Sequence, residues 1–288
     1  MRGIVFVLMA LIMLSSCENS VAVSDEVKVE CKRQGWDEEF PLYGDVESVR
    51  IEPYACTQEY GNVVNKGNIV DNIEVYTFNK EGNVSEYCNY NTDGTISNLI
   101  VNIYDANVKI TESLQYFFRG NNEETNQVRV VYTYDANGRL LEECTYEFDT
   151  MCHKLSYSYD AKGNRESVKE WTGTAICGIC KYVYNAQGMV EEQQYYENGN
   201  LDEKIVFVYD DKGNCIEEAT YDGNRQKGKL AYQYDVHGNV IATERISADG
   251  HIYAHSKYEY DSNNNLVTET WYEDGVPFRL EKYHILYR

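Results

Sequence analysis

Glutamate recurs along this chain at a spacing that could support acid–base chemistry. Four copies each follow the glycine of a repeated Tyr-Asp-x-x-Gly turn by four residues: Glu86, Glu142, Glu192 and Glu217. In a sheet, Glu192 and Glu217 would lie two strands apart, about 9.5 Å, at the upper end of the roughly 6.5–9.5 Å separation of inverting glycosidases. The same column is also consistent with a structural role, in which each carboxylate contacts tyrosine hydroxyls or water. We favour this structural role, because a catalytic pair needs two different environments and a repeat supplies identical ones.

The residues that could bind a metal or act as a nucleophile are not suitably spaced to do so. We therefore predict no cofactor and no metal site. The turn aspartates, such as Asp160 and Asp210, lie one repeat apart and cannot share a calcium ion, which needs several converging oxygens. His251 and His255 have a helical ligand spacing, but along a strand they would be about 13 Å apart. The sequence contains no phosphate-binding loop and no serine nucleophile motif.

The cysteines allow one disulfide without deciding it, and their spacing argues against a redox motif. Cys144 and Cys152 flank a predicted turn nearly symmetrically, which allows either a disulfide across the hairpin or two buried free thiols. Cys177 and Cys180 resemble a redox motif in spacing. Within a strand, however, their Cα atoms would be about 10 Å apart, beyond the disulfide range of roughly 4.4–6.8 Å.

The turn glycine belongs to a Tyr-x-Tyr-Asp-x-x-Gly motif with a fixed period. Its glycines stand at positions 138, 163, 188, 213 and 238, which is a period of 25 residues. Such a period indicates one supersecondary unit stacked on itself. Asp at the start of a type I turn and Gly in a left-handed bulge close a β-hairpin. We therefore predict an all-β fold in which stacked antiparallel β-hairpin repeats form one long, twisted, curled meander sheet.

Alternation within the repeat predicts which side chains are buried. Counted from the glycine, positions −8, −6 and −4 are mostly apolar or aromatic, position +2 is mostly apolar and position +8 is mostly aromatic. We expect these rows to form the core. Aromatic residues of the opposite parity would then be exposed and could form a ligand-binding face. The candidates are Tyr87, Tyr195 and Trp271.

The N-terminus has the pattern of a targeting signal. Arg2 precedes an apolar run of about 11 residues, which is too short for a membrane span of about 20. The following Leu14-Ser-Ser-Cys17 resembles a bacterial lipobox, and the resemblance implies that Cys17 is lipidated and anchors the chain to a membrane. We predict a signal peptide at residues 1–17, a tether at 18–41 and one repeat domain at 42–288, with clear repeats over about 70–275.

The repeat units are similar to those of a known family. Tyr-Asp-x-x-Gly-Asn, as in Tyr159–Asn164, resembles the YD repeat of the bacterial RHS family. With the lipobox, the chain resembles secreted YD-repeat lipoproteins of the Bacteroidota. The resemblance implies a spiral of β-hairpins.

The net charge of the chain limits which classes of partner it can bind. The formal net charge of −21 disfavours nucleic acid, because phosphate contacts need lysine and arginine. We predict a non-catalytic, lipid-anchored protein of the bacterial cell envelope, at the outer membrane, that binds or scaffolds a protein or glycan partner. The alternative is a polysaccharide-active enzyme that uses Glu192 and Glu217. The sequence leaves open whether the protein faces the periplasm or the cell surface.

Overall fold

A computed structural model describes residues 33, 35–36, 40–120 and 123–288. In these residues nineteen β-strands pair antiparallel. The strands are β1 (Val46–Glu59), β2 (Asn62–Ile69), β3 (Ile73–Phe78), β4 (Val84–Tyr90), β5 (Ile96–Tyr104), β6 (Ile110–Arg119), β7 (Glu123–Tyr134), β8 (Leu140–Glu147), β9 (Thr150–Tyr159), β10 (Arg165–Thr172), β11 (Ala175–Tyr184), β12 (Val190–Glu197), β13 (Asn200–Tyr209), β14 (Cys215–Asp222), β15 (Arg225–Tyr234), β16 (Val240–Ser247), β17 (Ile252–Tyr260), β18 (Leu266–Glu273) and β19 (Val276–Tyr287). Within the same ranges, no helix is long and apolar enough to cross a membrane. The predicted signal peptide and Cys17 lie outside the described residues.

The Tyr-Asp turn forms through the interactions that its residues predict. The Asp160 carboxylate accepts hydrogen bonds from the backbone amides of Lys162 and Asn164, at 2.8 and 2.9 Å. The Gly163 amide donates to the Asp160 carbonyl at 3.0 Å, and Gly163 has a φ of 94°. Glycine adopts this left-handed backbone without steric cost. The turn is therefore determined locally, which is why it recurs in every clear copy of the motif.

The sheet closes on itself. Strands β3 to β19 pair in chain order, and β1 pairs with both β19 and β3, so β1 and β3–β19 form a closed barrel of eighteen strands. The first half of β1 pairs with β3 and the second half with β2, which extends the wall above β3. The predicted open, curled meander sheet is therefore wrong. Each hairpin joins strands that are adjacent in the sequence, but closure of the barrel depends on pairing between the first and last strands.

A bulge after each turn glycine decides which face the later side chains take. On β12, Val190 pairs with Tyr184 but Glu192 pairs with Val183, because the register shifts between these two pairs. The extra residue moves every following side chain to the other face. The aromatic row at +8, such as Tyr196, consequently lies on the outer face, whereas the sequence predicted it in the core.

The same shift turns the predicted ligand residues inwards. Tyr195 packs with the buried cluster around Tyr182 and Phe207. Tyr87 pairs with the inward-facing Tyr76, and Trp271 pairs with Ser256. The expected exposure of Tyr87, Tyr195 and Trp271 is thus not found, since the parity argument missed the bulge.

Tyrosine at position −4 ties neighbouring hairpins together. The hydroxyls of Tyr159 and Tyr209 donate to the carbonyls of Leu140 and Val190, each at 2.7 Å. The equivalent tyrosines that make this bond are Tyr104, Tyr134, Tyr184, Tyr234 and Tyr260. A phenylalanine would bury the same ring but leave the carbonyl without this donor. The bond therefore explains why the repeat uses tyrosine here.

We expect Tyr209→Phe to lower the free energy of unfolding by about 1 kcal/mol, the net value of one buried hydrogen bond. Urea unfolding followed by tyrosine and tryptophan fluorescence measures the change. Tyr196→Phe is the control, because the Tyr196 hydroxyl donates to a side chain on the outer face, Gln194, at 2.9 Å. Equal stability of the Tyr209 variant and the unaltered protein would contradict this role.

The turn Asp105-Ala-Asn-Val108, a degenerate copy of the Tyr-Asp-x-x-Gly turn, carries backbone strain. Val108 stands where the other turns have glycine or, in the last turn, Asn264, and its φ is 63°. A β-branched residue is strained in this left-handed conformation. We expect Val108→Gly to raise the free energy of unfolding by about 1 kcal/mol, measured by thermal and urea unfolding. A destabilised variant would show that strain at Val108 is not the dominant effect.

The segment before β1 lies across the inside of one barrel end. Trp36 packs edge-on against Tyr76 of β3, with ring centroids 4.9 Å apart. Phe40 packs against Tyr258 of β17 at 5.1 Å. At the same end, the amide of Tyr43 donates to the Asn265 side chain at 2.6 Å. The described part of residues 33–45 therefore bridges β3 and β17, which lie on either side of the β1–β19 pairing, beside the Tyr-Asp turns.

Candidate functional site

The outer face carries a repeated unit of a glutamate, a lysine and an aromatic ring. Lys204 forms an ion pair with Glu192 at 3.0 Å, and its Nζ lies 5.6 Å from the centre of the Tyr221 ring. Equivalent units are Glu142, Lys154 and Trp171, and Glu112, Arg129 and Tyr146. A cation over an aromatic ring at the protein surface contributes about 0.5–1 kcal/mol. Glu142 and Glu192 of the glutamate column thus belong to a structural ladder.

The catalytic alternative required Glu192 and Glu217 to share a cleft in unequal environments. Glu217 instead has its own lysine, Lys229, at 2.7 Å, just as Glu192 has Lys204. Hydrogen bonds from Gln194 and then Lys204 lower the pKa of Glu192. A general acid needs a raised pKa. The geometry therefore gives no support to a glycosidase built on this pair.

At the end opposite the Tyr-Asp turns, the hairpins present aromatic and aliphatic side chains to the outside. Trp171 faces Ile176 across one hairpin, and Tyr196 faces Leu201 across the next. The equivalent pairs are Tyr146 with Met151, Tyr221 with the polar Gln226, and Ile246 with Ile252, whereas Tyr272 and Pro277 hold the same position but are buried. Ile176 and Leu201 remain 44% and 39% exposed. We call the five pairs that face outwards the outer girdle. Sequence reasoning missed it, although apolar residues at −12 repeat opposite the aromatic row.

Inside the barrel, tyrosine hydroxyls meet carboxylates that have been removed from water. Tyr157 donates a hydrogen bond to Glu143, and Tyr232 donates to Glu218 at 2.9 Å. Burial raises the pKa of both glutamates, as expected for carboxylates in a poorly hydrated site. The interior is therefore built from polar pairs as well as apolar clusters.

A cluster of charged groups lies beneath the seam where β19 meets β1. Glu269 of β18 and Glu281 of β19 are directly opposite each other on the inner face, and Glu269 is 6% exposed. Burial, and then the charge of Glu281, raise the pKa of Glu269 to about 7. Burial also raises the pKa of Glu74 on β3. Arg279 donates to Glu281 at 2.8 Å and to Asp71 at 2.9 Å. We call these five residues the seam cluster.

The predicted ligand residues Tyr87, Tyr195 and Trp271 lie on three different strands, β4, β12 and β18. Burial, and then a nearby glutamate, raise the pKa of Tyr87 and Tyr195 to about 12. The Trp271 Nε1 is buried and has no hydrogen-bond partner among the described residues. The structure does not bring the three side chains together, and their role in binding stays a prediction.

The cysteines and acidic residues of the described chain form no metal site or disulfide. Its seven cysteines form no disulfide with one another. Cys144 faces Lys154 across the hairpin, and the Cys152 thiol donates to the Thr145 carbonyl at 3.4 Å. In the same part of the chain, no group of three or more His, Cys, Asp or Glu side chains is arranged to hold a metal ion.

Comparison with known proteins places the chain in no characterised family. A family model described as an uncharacterised protein matches residues 131–226. A search of curated proteins finds no match. A porin-like protein from Bacteroides uniformis is similar over 84% of this chain and 96% of its own, at 8% identity and a TM-score of 0.43.

Two further solved structures show more distant likeness. The Tc holotoxin pore of Photorhabdus luminescens is similar over 78% of this chain and 14% of its own, at 11% identity and a TM-score of 0.30. A DUF1329 family protein from Desulfovibrio piger is similar over 83% and 84%, at 10% identity and a TM-score of 0.25. None of these matches assigns a function to this chain.

Proposed function

We propose that this protein is a lipid-anchored, non-catalytic binding module of the bacterial cell envelope. The observation that carries the proposal is the outer girdle, in which aromatic and aliphatic side chains repeat along successive hairpins and stay partly exposed. Rigid aromatic rings give large contact areas at low entropic cost, and they are enriched in binding surfaces. The partner is a protein or a glycan that lies along this girdle.

The charge on the outer wall supports a barrel that stands in water beside the membrane. Ion pairs such as Glu192–Lys204 and Glu217–Lys229 recur on the outer face. A lysine that faces lipid near the membrane centre costs about 2–4 kcal/mol. Repeated ion pairs therefore favour attachment through an anchor over burial of the wall in lipid. We propose that acylated Cys17 is this anchor and that the membrane is the outer membrane.

The anchor is tested by metabolic labelling with radioactive palmitate and by membrane fractionation. We expect the full-length protein to incorporate label, to enter the outer-membrane fraction and to accumulate unprocessed when lipoprotein signal peptidase is inhibited. Cys17→Ala should abolish labelling. Label retained by the Cys17→Ala protein would contradict lipidation at this residue.

The binding role is tested by substituting the girdle without changing its charge. Tyr196→Ser combined with Leu201→Ser removes one girdle pair, and Val208→Ser is the control. Val208 is 43% exposed on the outer face of β13 but lies near the Tyr-Asp turns. Glycan arrays and defined envelope proteins are the two sets of probes. We expect the girdle variant to lose a partner that the control retains. Equal binding by both variants would contradict a role for the girdle.

A further inference from the structure

Two neighbouring hairpins at the girdle end expose four large apolar side chains. Ile252 and Tyr253 of β17 are 43% and 45% exposed, and Val276 and Phe278 of β19 are 60% and 47% exposed. The hairpins are in contact, because the Asp274 amide donates to the Tyr253 carbonyl at 3.0 Å. We call the four apolar residues the rim patch.

The rim patch exists because the last hairpins differ from the others at one position. Tyr253 and Phe278 are the extra residues of bulges near the start of β17 and β19. A bulged residue has no partner across the ladder, so its side chain is available for other contacts. In the four preceding hairpins the same bulge position holds Cys152, Cys177, Asp202 and Lys227. Two aromatic rings at this position therefore depart from the repeat.

Three carboxylates lie on the two hairpins that carry the rim patch. Asp249, Glu273 and Asp274 lie at the two hairpin tips and are exposed. Residues 247–253 and 273–278 contain no lysine or arginine. His251 lies 3.3 Å from the Asp274 carboxylate, and it offsets that charge only when it is protonated. The patch is therefore an apolar surface in a negative electrostatic environment.

We propose that the rim patch docks a segment of a protein partner in which apolar side chains stand next to lysine or arginine. This inference rests on the proposed binding function and names the chemistry of the partner. A second copy of the chain would place carboxylates against carboxylates, and an anionic lipid or acidic glycan would be repelled in the same way. A neutral glycan would leave the carboxylates unmatched. A cationic, apolar protein segment complements both properties.

The test uses a fluorescently labelled peptide of alternating lysine and leucine and the full-length protein in detergent at physiological salt. Fluorescence anisotropy gives the dissociation constant. Peptides with lysine and serine, or with glutamate and leucine, are the reference probes. We expect Tyr253→Ser combined with Phe278→Ser to weaken binding of the lysine–leucine peptide by about tenfold or more, as for truncated anchor residues.

Two further variants distinguish peptide binding at the rim patch from nonspecific electrostatic attraction to an acidic protein. Phe148→Ser is the matched control, because Phe148 is 81% exposed at another hairpin tip beside Glu147 and Asp149. We expect it to bind the lysine–leucine peptide like the unaltered protein. Asp274→Asn keeps the turn residue compatible with its φ of 46° and should weaken binding and its salt dependence. This single variant also tests the docking proposal if the double variant fails to fold.

Three outcomes would overturn the docking proposal. These are equal binding by the double variant, equal binding of the lysine–serine peptide, and tight binding of the glutamate–leucine peptide. The girdle variant Tyr196→Ser with Leu201→Ser keeps the rim patch and should keep its affinity for the lysine–leucine peptide. If only the girdle variant loses the peptide, the rim proposal fails while the binding function stands. If no peptide or girdle probe binds, both proposals fail.

Discussion

Glu269→Gln is expected to stabilise the barrel by roughly 3 kcal/mol at pH 8 and by less than about 1 kcal/mol at pH 5. Glu269 is buried opposite Glu281, and its pKa in the folded protein is about 7, compared with 4.5 for the unperturbed group. The folded state therefore binds the proton more tightly than the unfolded state. The stability contributed by protonated Glu269 is fully present below the unfolded pKa and is lost as the pH rises through about 7.

Glutamine mimics the protonated acid, so the variant should lose this pH dependence. Urea unfolding of both proteins between pH 5 and pH 8.5 measures the free energy of unfolding. Glu192→Gln is the matched control, because the pKa of Glu192 is lowered and its carboxylate pairs with Lys204 outside the barrel. The control should not be stabilised at pH 8. A parallel pH profile for the Glu269 variant and the unaltered protein would contradict the charge account of the seam cluster.

Deletion of residues 276–288 is expected to unfold the whole barrel. These residues comprise β19, which pairs with β1 from Val46 to Ala55 and with β18 on its other side. The terminal Arg288 also donates to the carbonyl of Asn79, at 2.9 Å. In an open stack of repeats, loss of a terminal strand would affect its neighbours only. In a closed barrel it exposes two edges and removes the seam.

The control for this deletion shortens the hairpin that extends beyond the ring. Residues 58–63 join β1 to β2 at a tip where Tyr60 is 103% exposed. Replacing them with a short Asn-Gly turn should preserve cooperative unfolding. Circular dichroism and hydrogen exchange follow both proteins. Protection of the early hairpins, β4 to β9, in the protein without β19 would contradict a single closed unit.

The predictable part of this fold is the part that short stretches of chain determine. Asp160 and Gly163 build their turn from residues within the motif, so the hairpins could be predicted from the sequence. Closure could not, because the pairing of Val46 with Tyr287 joins strands that belong to no clear copy of the repeat. An eighteen-strand ring also depends on strand tilt and stagger, which no single repeat specifies.

The candidate site depended on a bulge that alternation alone does not show. Tyr195 and Tyr196 are adjacent, and the bulge before them assigns the first to the interior and the second to the outer girdle. The pairing of an aromatic residue at +8 with an apolar residue at −12 was a readable signal of an outer surface. The rim patch can be recognised in the sequence only because Tyr253 and Phe278 depart from the repeat.

The most direct test of the closed barrel is a cross-link across its seam. Arg50 of β1 and His284 of β19 are directly opposite each other, and Cα atoms of such pairs lie about 4.5–5.5 Å apart, within disulfide range. In the protein carrying Arg50→Cys and His284→Cys, we predict an intramolecular disulfide in the folded monomer, identified by peptide mass spectrometry. Arg50→Cys with Lys169→Cys on β10 should form none. An uncross-linked monomer, or cross-links only between molecules, would contradict closure and restore the open sheet.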